Sequence, residues 1–390
     1  MLTVLFDATA VPADRRGVGR YVDSVIPAFD RAEARIRVIC RAADVAHYTE
    51  LSGQPAIAAS GLADRRPSRL LWEQLRLPSV ARGSAGQVLH SPHYTHPLLL
   101  SLTGQLPVTV TLHDATFFTD PQLHTRSKGP FFRAASKLAL RRADACIVPS
   151  QASADELVSR AGARPEQLQV AHLGVDPAVF RPPSAAEQAA VRGRLGLPAG
   201  TEYIAFLGTI EPRKNVPALI RGWVSAFQGR PEPPALVLSG GDGWDTEVAA
   251  AIAAVPDSLR LIRAGYLPLE QLSGLLGAAS VVGYPSLGEG FGLPVLEGMA
   301  CGAAVLTTRN LALSEVGGDA VAYTGTDSDS IGRDLLALMS DPGRRAALGR
   351  AGLARAATFS WQACAQAHLA AYHRAIEHRA GTGAARGGAR

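Results

Sequence analysis

Short apolar runs, each closing on a turn or a polar cluster, recur along the whole chain. They fall at 2–6, 36–40, 87–90, 107–112 and 145–148, and again at 203–207, 235–238, 259–262, 280–282 and 304–307. Runs of this length, rich in Val, Ile and Leu, suit strands buried on both faces. Helical or turn-rich segments separate them, and strands alternating with helices predict parallel, doubly wound α/β sheets. Residues 173–184, Leu-Gly-Val-Asp-Pro-Ala-Val-Phe-Arg-Pro-Pro-Ser, break both periodicities. They predict a boundary between a domain over 1–180 and a second over 181–360. A helix is expected over 361–378, and the Gly-, Ala- and Arg-rich end, 379–390, reads as a disordered tail.

A chain of 390 residues can hold two such domains, and 47% hydrophobic with 19% charged residues describes a globular protein. The formal charge of +5 suits anionic small molecules or lipid head groups. No aromatic–basic interleaving favours nucleic acid. Cys40, Cys146, Cys301 and Cys364 lie far apart and form no metal-like pairs. That spacing predicts a reduced, intracellular protein. No apolar run approaches the roughly 18 residues of a spanning helix, and the first residues read as a strand rather than a signal peptide, so a cytoplasmic location is expected.

The richest chemistry lies at 286–302, Ser-Leu-Gly-Glu-Gly-Phe-Gly-Leu-Pro-Val-Leu-Glu-Gly-Met-Ala-Cys-Gly. Gly288, Gly290 and Gly292 leave a loop with little side-chain bulk after a strand, where a ligand can meet backbone N–H groups. Pro294 suits the start of a helix that Gly302 ends, and Glu297 is expected in its first turn. With Glu289 in the loop, one strand–loop–helix unit offers acceptors for hydroxyls beside donors for an anion. A sugar nucleotide needs both. Glycines that only permit packing, beside solvated glutamates, are the alternative.

Gly17-Val-Gly19 follows the first strand but lacks the third glycine of a dinucleotide fingerprint. His113 stands at the carboxyl end of a strand, where a neutral imidazole can bond a sugar hydroxyl without the cost of a buried charge. Residues 126–142 carry six basic side chains and no acidic one. They form either a surface for anionic lipid or a solvated helix face. Asp327 and Asp329 read as part of a polar turn rather than a metal pair.

Taken in order, "GVGRY", "LHD", "GTIEPRKN" and "GEGFGLPVLEGMACG" resemble the signatures of retaining glycosyltransferases of family 4, in the mannosyltransferase-like branch. The resemblance implies the GT-B fold: two Rossmann-like domains facing a deep interdomain cleft, with the last helix crossing back to the first. It implies that Arg213 and Lys214 bind the donor diphosphate and stabilise the leaving group. Glu289 and the Gly290, Phe291, Gly292 and Leu293 segment would hold the donor sugar, and Glu297 the ribose. Gly17, Gly19 and Gly208 would approach the donor, Leu267 would touch its base, and His113 would line the reacting face.

The implied activity is metal-independent, retaining transfer of a hexose, with GDP-mannose as the favoured co-substrate and no cofactor. The acceptor would be a glycan or lipid-linked sugar in polysaccharide or glycolipid synthesis, handled in the cytoplasm at the inner face of the membrane. A UDP-sugar donor is the alternative. A non-catalytic binding protein and a nucleotide-sugar epimerase of the same fold are weaker ones.

Overall fold

The computed structural model describes residues 1–387 apart from 13, 14, 16, 124–127 and 199. The chain divides into two compact units, Met1–Gly174 together with the chain from Trp361 onward, and Val175–Ser360.

The first unit is built on a seven-stranded parallel sheet. Its strands are β1 (Leu2–Asp7), β2 (Ala34–Cys40), β3 (Ile57–Ala58), β4 (Val88–Ser91), β5 (Val108–Thr111), β6 (Ala145–Val148) and β7 (Leu168–Val170), in the order β3-β2-β1-β4-β5-β6-β7. The order reverses between β1 and β4. In such a sheet that point leaves a crevice at the carboxyl ends of the strands. The short edge strands β3 and β7 were not among the sequence expectations, because two or three residues carry no usable pattern. The first helix begins at Val18 rather than near Arg20, so Gly19 lies inside it and Gly17 caps it.

The final helix runs Trp361–Gly387 and belongs to this first unit. Its buried stripe, Cys364, His368, Ala371, Tyr372 and Ala375, repeats at helical spacing and packs on the sheet. A buried hydrogen-bond chain anchors it. The His368 Nδ1–H donates to the Cys364 carbonyl at 2.7 Å, which leaves Nε2 to accept from the Tyr21 hydroxyl at 2.6 Å. Thr111 then donates to Tyr21 at 3.1 Å, the His90 Nε2–H to Thr111 at 2.8 Å, and the Tyr372 hydroxyl to His90 Nδ1 at 2.7 Å. Burial holds both imidazoles neutral, with His368 pushed down to about 4 and His90 well below its ordinary value. Where a disordered tail was expected from 379, the helix continues to Gly387. The Arg379 guanidinium pins it to Asp144 and to the Ser101 carbonyl. Residues 388–390 lie outside the described residues.

The second unit repeats the plan with β8 (Tyr203–Leu207), β9 (Ala235–Ser239), β10 (Leu261–Gly265), β11 (Val281–Tyr284), β12 (Val305–Thr307) and β13 (Ala322–Tyr323). Its parallel sheet has the order β10-β9-β8-β11-β12-β13, so β8 and β11 flank its switch point. The proline-rich segment joins this unit from Val175, whose N–H donates to the Phe359 carbonyl at 3.2 Å. The first division between the units therefore falls a few residues before 180. Among the described residues, no helix is long and apolar enough to cross a membrane.

Candidate active site

The loops after β8 and β11 meet at the switch point of the second sheet. After β8 the chain passes through Gly208 into a tight turn, Pro212–Lys214, and then the helix Val216–Phe227. Asn215 makes the junction in the left-handed region, with φ of 57°. After β11 the chain runs through Ser286 and Glu289 into the helix Leu293–Ala300. The two loops are tied by the Leu287 N–H, which donates to the Arg213 carbonyl at 2.8 Å, and by the Arg213 guanidinium, which donates to the Gly288 carbonyl at 3.1 Å. The Thr307 and Thr308 hydroxyls hold the second loop from β12 by donating to the Tyr284 and Ser286 carbonyls, at 2.8 and 2.6 Å.

This frame places Glu289, only 6% exposed, against both cations. Its Oε1 accepts from the Lys214 ammonium at 2.6 Å, the Ser286 hydroxyl at 2.6 Å and the Tyr284 hydroxyl at 2.9 Å. Its Oε2 pairs with Arg213, and Lys214 also donates to the Tyr284 hydroxyl. Burial by itself would push the Glu289 carboxyl up; the Arg213 and Lys214 charges and the Ser286 bond outweigh it and hold the group at about 2. Burial and the Arg213 charge lower the Lys214 ammonium, while Glu289 supports its charged form. Glu211 stands 3.4 Å from Arg213 on the other side. The cations are thus not solvated loop charges. They are fixed, charge-compensated donors at the end of a sheet, an arrangement that can receive a diphosphate without reorganising.

Arg213, Lys214 and Glu289 therefore form one constellation. Glu297 is 1% exposed and sits in the second turn of its helix rather than the first, because the helix starts at Leu293 with Pro294 in second place. Gly292 caps that helix with φ of 103°, and a Cβ there would meet Leu313 Cδ2 at 2.7 Å. Gly290 is buried in the same loop, and Phe291 packs edge-on against Phe359 at 5.8 Å. Leu267 is buried just beyond β10, and the Gly208 N–H donates to the Ser239 carbonyl at 2.9 Å. Asp327 caps the helix Ser328–Met339 by accepting from the Ser330 N–H at 2.8 Å.

Gly17, Gly19 and His113 lie in the first unit and are not part of this constellation. A Cβ on Gly17 would meet open space, whereas one on Gly19 would press on Arg15 Cβ at 3.0 Å. His113, half-buried, donates from Nε2 to the Pro92 carbonyl at 2.6 Å and meets the Tyr21 ring edge-on at 5.1 Å. Burial pushes its pKa down against the effect of that bond, so the ring is neutral with Nδ1 as its acceptor. Asp114 accepts from the Thr116 N–H and hydroxyl, which makes it a loop cap.

Sequence reasoning passed over the parts played by Tyr284 and Ser286, which become partners of Glu289 only when two loops meet. It also passed over Gly240 and Gly243. A Cβ at Gly240 would strike the Gly208 carbonyl at 2.1 Å, and one at Gly243 the Ile210 carbonyl at 1.9 Å. The string Gly-Gly-Asp-Gly after β9 was the available signal.

Two doubly wound domains, one with a cation–carboxylate cluster at its switch point, define a class of proteins that handle nucleotide-linked anions. Two family models match this chain, Glycosyltransferase Family 4 over residues 15–179 and Glycosyl transferases group 1 over 187–355. The chain belongs to glycosyltransferase family 4 and has the GT-B fold. It is 28% identical to O-antigen chain mannosyltransferase B of Escherichia coli over 95% of this chain and 99% of that one. It is 36% identical to D-inositol 3-phosphate glycosyltransferase of Mycobacterium avium, over 62% of this chain and 58% of that relative, so the match spans little more than half the relative's length. The crystal structure of Anabaena HepE in complex with UDP and glucose superposes with a TM-score of 0.71 at 18% identity, over 94% of this chain and 98% of that one.

Proposed function

We propose that this glycosyltransferase moves mannose from GDP-mannose to a glycan or lipid-linked acceptor, with retention at the anomeric carbon and without a metal. The observation that carries the reading is the Arg213–Lys214–Glu289 cluster at the β8/β11 switch point. When the anomeric carbon–oxygen bond breaks, negative charge grows on the departing diphosphate, and a fixed cation pair stabilises that charge in a site where little else needs to move. Among the described residues, the Lys214 ammonium gives two donors to Glu289 and Tyr284, so a third can turn to a phosphate oxygen. In this reading Glu289 acts first as the counter-charge that aims the cations, and Glu297 takes the ribose. His113, neutral, offers Nδ1 to a sugar hydroxyl.

Mannose is favoured by the likeness to the E. coli mannosyltransferase, which spans both chains almost fully. A UDP-sugar is the second reading, favoured by the fold shared with a protein that binds UDP and glucose. Thermal unfolding with GDP, UDP, ADP and TDP separates them. A nucleotide at about 100 times its dissociation constant adds roughly 2.7 kcal/mol of stability. GDP should give the largest shift. Proton NMR of the product then reads the stereochemistry, and an inverted linkage would sink the mechanism whichever sugar is moved. A lipid-linked acceptor would suit the reading of 126–142 as a surface for anionic lipid, with the solvated helix face as its alternative; of these residues 126 and 127 lie outside the described residues.

A further inference from the structure

The sheet of the first unit has a switch point of its own, between β1 and β4, and a buried polar cluster stands there that the Arg213–Lys214–Glu289 site does not use. Asp7, the last residue of β1, is 2% exposed. Its Oδ1 accepts from the Thr9 N–H at 3.0 Å and the Thr9 hydroxyl at 2.7 Å. No donor among the described residues meets its Oδ2. Phe6 pairs with His90 on β4, which sets Asp7 and Ser91 one step further along, on the same side of the sheet. The Ser91 hydroxyl is buried without a partner as well. Two under-bonded polar groups on neighbouring strands call for an occupant, since buried charges are ordinarily paired and each unmade bond costs roughly 1–3 kcal/mol.

The surrounding charges restrict what that occupant can be. Arg69, on the helix Arg66–Leu75, is close enough for its charge to oppose the upward push of burial on the Asp7 carboxyl. Its bonds go to other groups, to Glu73 at 2.7 Å and to the Thr95 hydroxyl at 3.2 Å. Glu73 is fully engaged: Oε2 also accepts from Thr95 at 2.7 Å, and Oε1 accepts from Gln74 at 2.9 Å. A cation arriving at Asp7 Oδ2 would face Arg69, and an anion would meet two carboxylates against one guanidinium. A neutral hydroxyl meets neither obstacle, and it supplies the donor that a carboxylate, able only to accept, requires.

We infer that the switch-point crevice of the first unit holds the acceptor, as a neutral sugar whose hydroxyl donates to Asp7 Oδ2. Any phosphate or lipid portion of the acceptor then lies outside this crevice. The inference rests on the glycan or lipid-linked acceptor proposed above and narrows it to one whose receiving sugar carries no charge. A phosphorylated polyol such as an inositol phosphate is disfavoured, because its charge sits next to its hydroxyls. An internal water is the other occupant that such a pair of groups could take.

Saturation-transfer NMR on the full chain tests this, with the methyl glycosides of mannose, glucose and galactose and with myo-inositol 1-phosphate as probes. At least one glycoside should bind, and the inositol phosphate at least about tenfold more weakly. Asp7→Asn keeps an oxygen for Thr9 and removes the charge. It should lower glycoside affinity at least about tenfold, while its melting temperature stays at or above the parent's, because a half-bonded buried charge is gone. The stabilisation by GDP, read in the same samples, should be unchanged in the variant; its absence in the parent would count against the donor reading and leave this one standing. Equal binding of inositol phosphate, glycoside binding that persists in Asp7→Asn, or an Asp7→Asn chain that melts more than about 3 °C below the parent would each overturn the proposal. So would the absence of glycoside binding, which would leave an internal water as the occupant.

Discussion

Replacing Lys214 by Met should cost both stability and turnover, and the two losses can be measured apart. In the folded unit the ammonium is 8% exposed and bonded to Glu289 and Tyr284. Its removal leaves a buried carboxylate with Arg213, Ser286 and Tyr284. Breaking a buried ion pair from one side costs about 3–5 kcal/mol, and because Arg213 remains, Lys214→Met belongs at or below the low end, about 2–3 kcal/mol. For a domain of about 150–250 residues each kcal/mol shifts melting by about 2–4 °C, so a drop of about 4–12 °C is expected without ligand. Solvated loop cations, the alternative open at the level of sequence, would tolerate the change within about 0.5 kcal/mol. Circular dichroism melts decide between these, and a shift of less than about 1 °C would refute the buried-pair reasoning. Adding Glu289→Gln should recover part of the loss, since the stranded charge is gone; simple additivity would show that the two groups are not coupled. Turnover, measured well below the melting range, should fall at least about a hundredfold, or about 2.7 kcal/mol of transition-state stabilisation. Lys214→Arg should recover little of it, because a planar guanidinium fork does not reproduce the compact ammonium's bonds to Glu289 and Tyr284. More than half the parent turnover at saturating donor would remove Lys214 from the leaving-group role.

Activity should survive excess EDTA, because Arg213, Lys214 and the helix beginning at Leu293 are proposed to carry the diphosphate charge; loss that Mn2+ restores would overturn that proposal. Gly292→Ala, which forces a Cβ onto Leu313 at a φ of 103°, should destabilise the second unit by about 2–4 kcal/mol in urea titrations. A midpoint equal to the parent's would show that the helix start can shift. Stability of the first unit should fall as pH drops from 6.5 toward about 4, because the unfolded chain protonates His368 across that window and the folded chain does not. The His368 share is about 3 kcal/mol, with a further loss in the same direction from His90, and His368→Gln should flatten the slope of melting temperature against pH.

How much of this was legible in the sequence depends on the range over which each signal acts. Buried parallel strands carry their signal within a few residues, so β1, β2, β4, β5, β6, β8, β9, β11 and β12 could be placed from apolar runs alone, while β10 sits about two residues later than its run suggested. The edge strands β3, β7 and β13 are too short for a run to register. The glycine loop before Leu293 and the Arg213–Lys214 pair were visible because each is contiguous. Their meeting was not, since it follows from β8 pairing with β11 on one side as well as with its sequence neighbour β9 on the other, and nothing local specifies the β11 pairing. For the same reason Tyr284, which reads as an ordinary strand residue, acquires its bonds to Lys214 and Glu289 only in the assembled sheet. Glu289 shows the consequence most clearly. As an isolated glutamate in a flexible loop it reads as an acceptor waiting for a sugar hydroxyl, yet in the fold both its oxygens are committed to protein donors. Its first effect on catalysis would therefore be indirect, through the position and charge of the two cations it holds, and Glu289→Gln should weaken diphosphate binding as well as sugar selection.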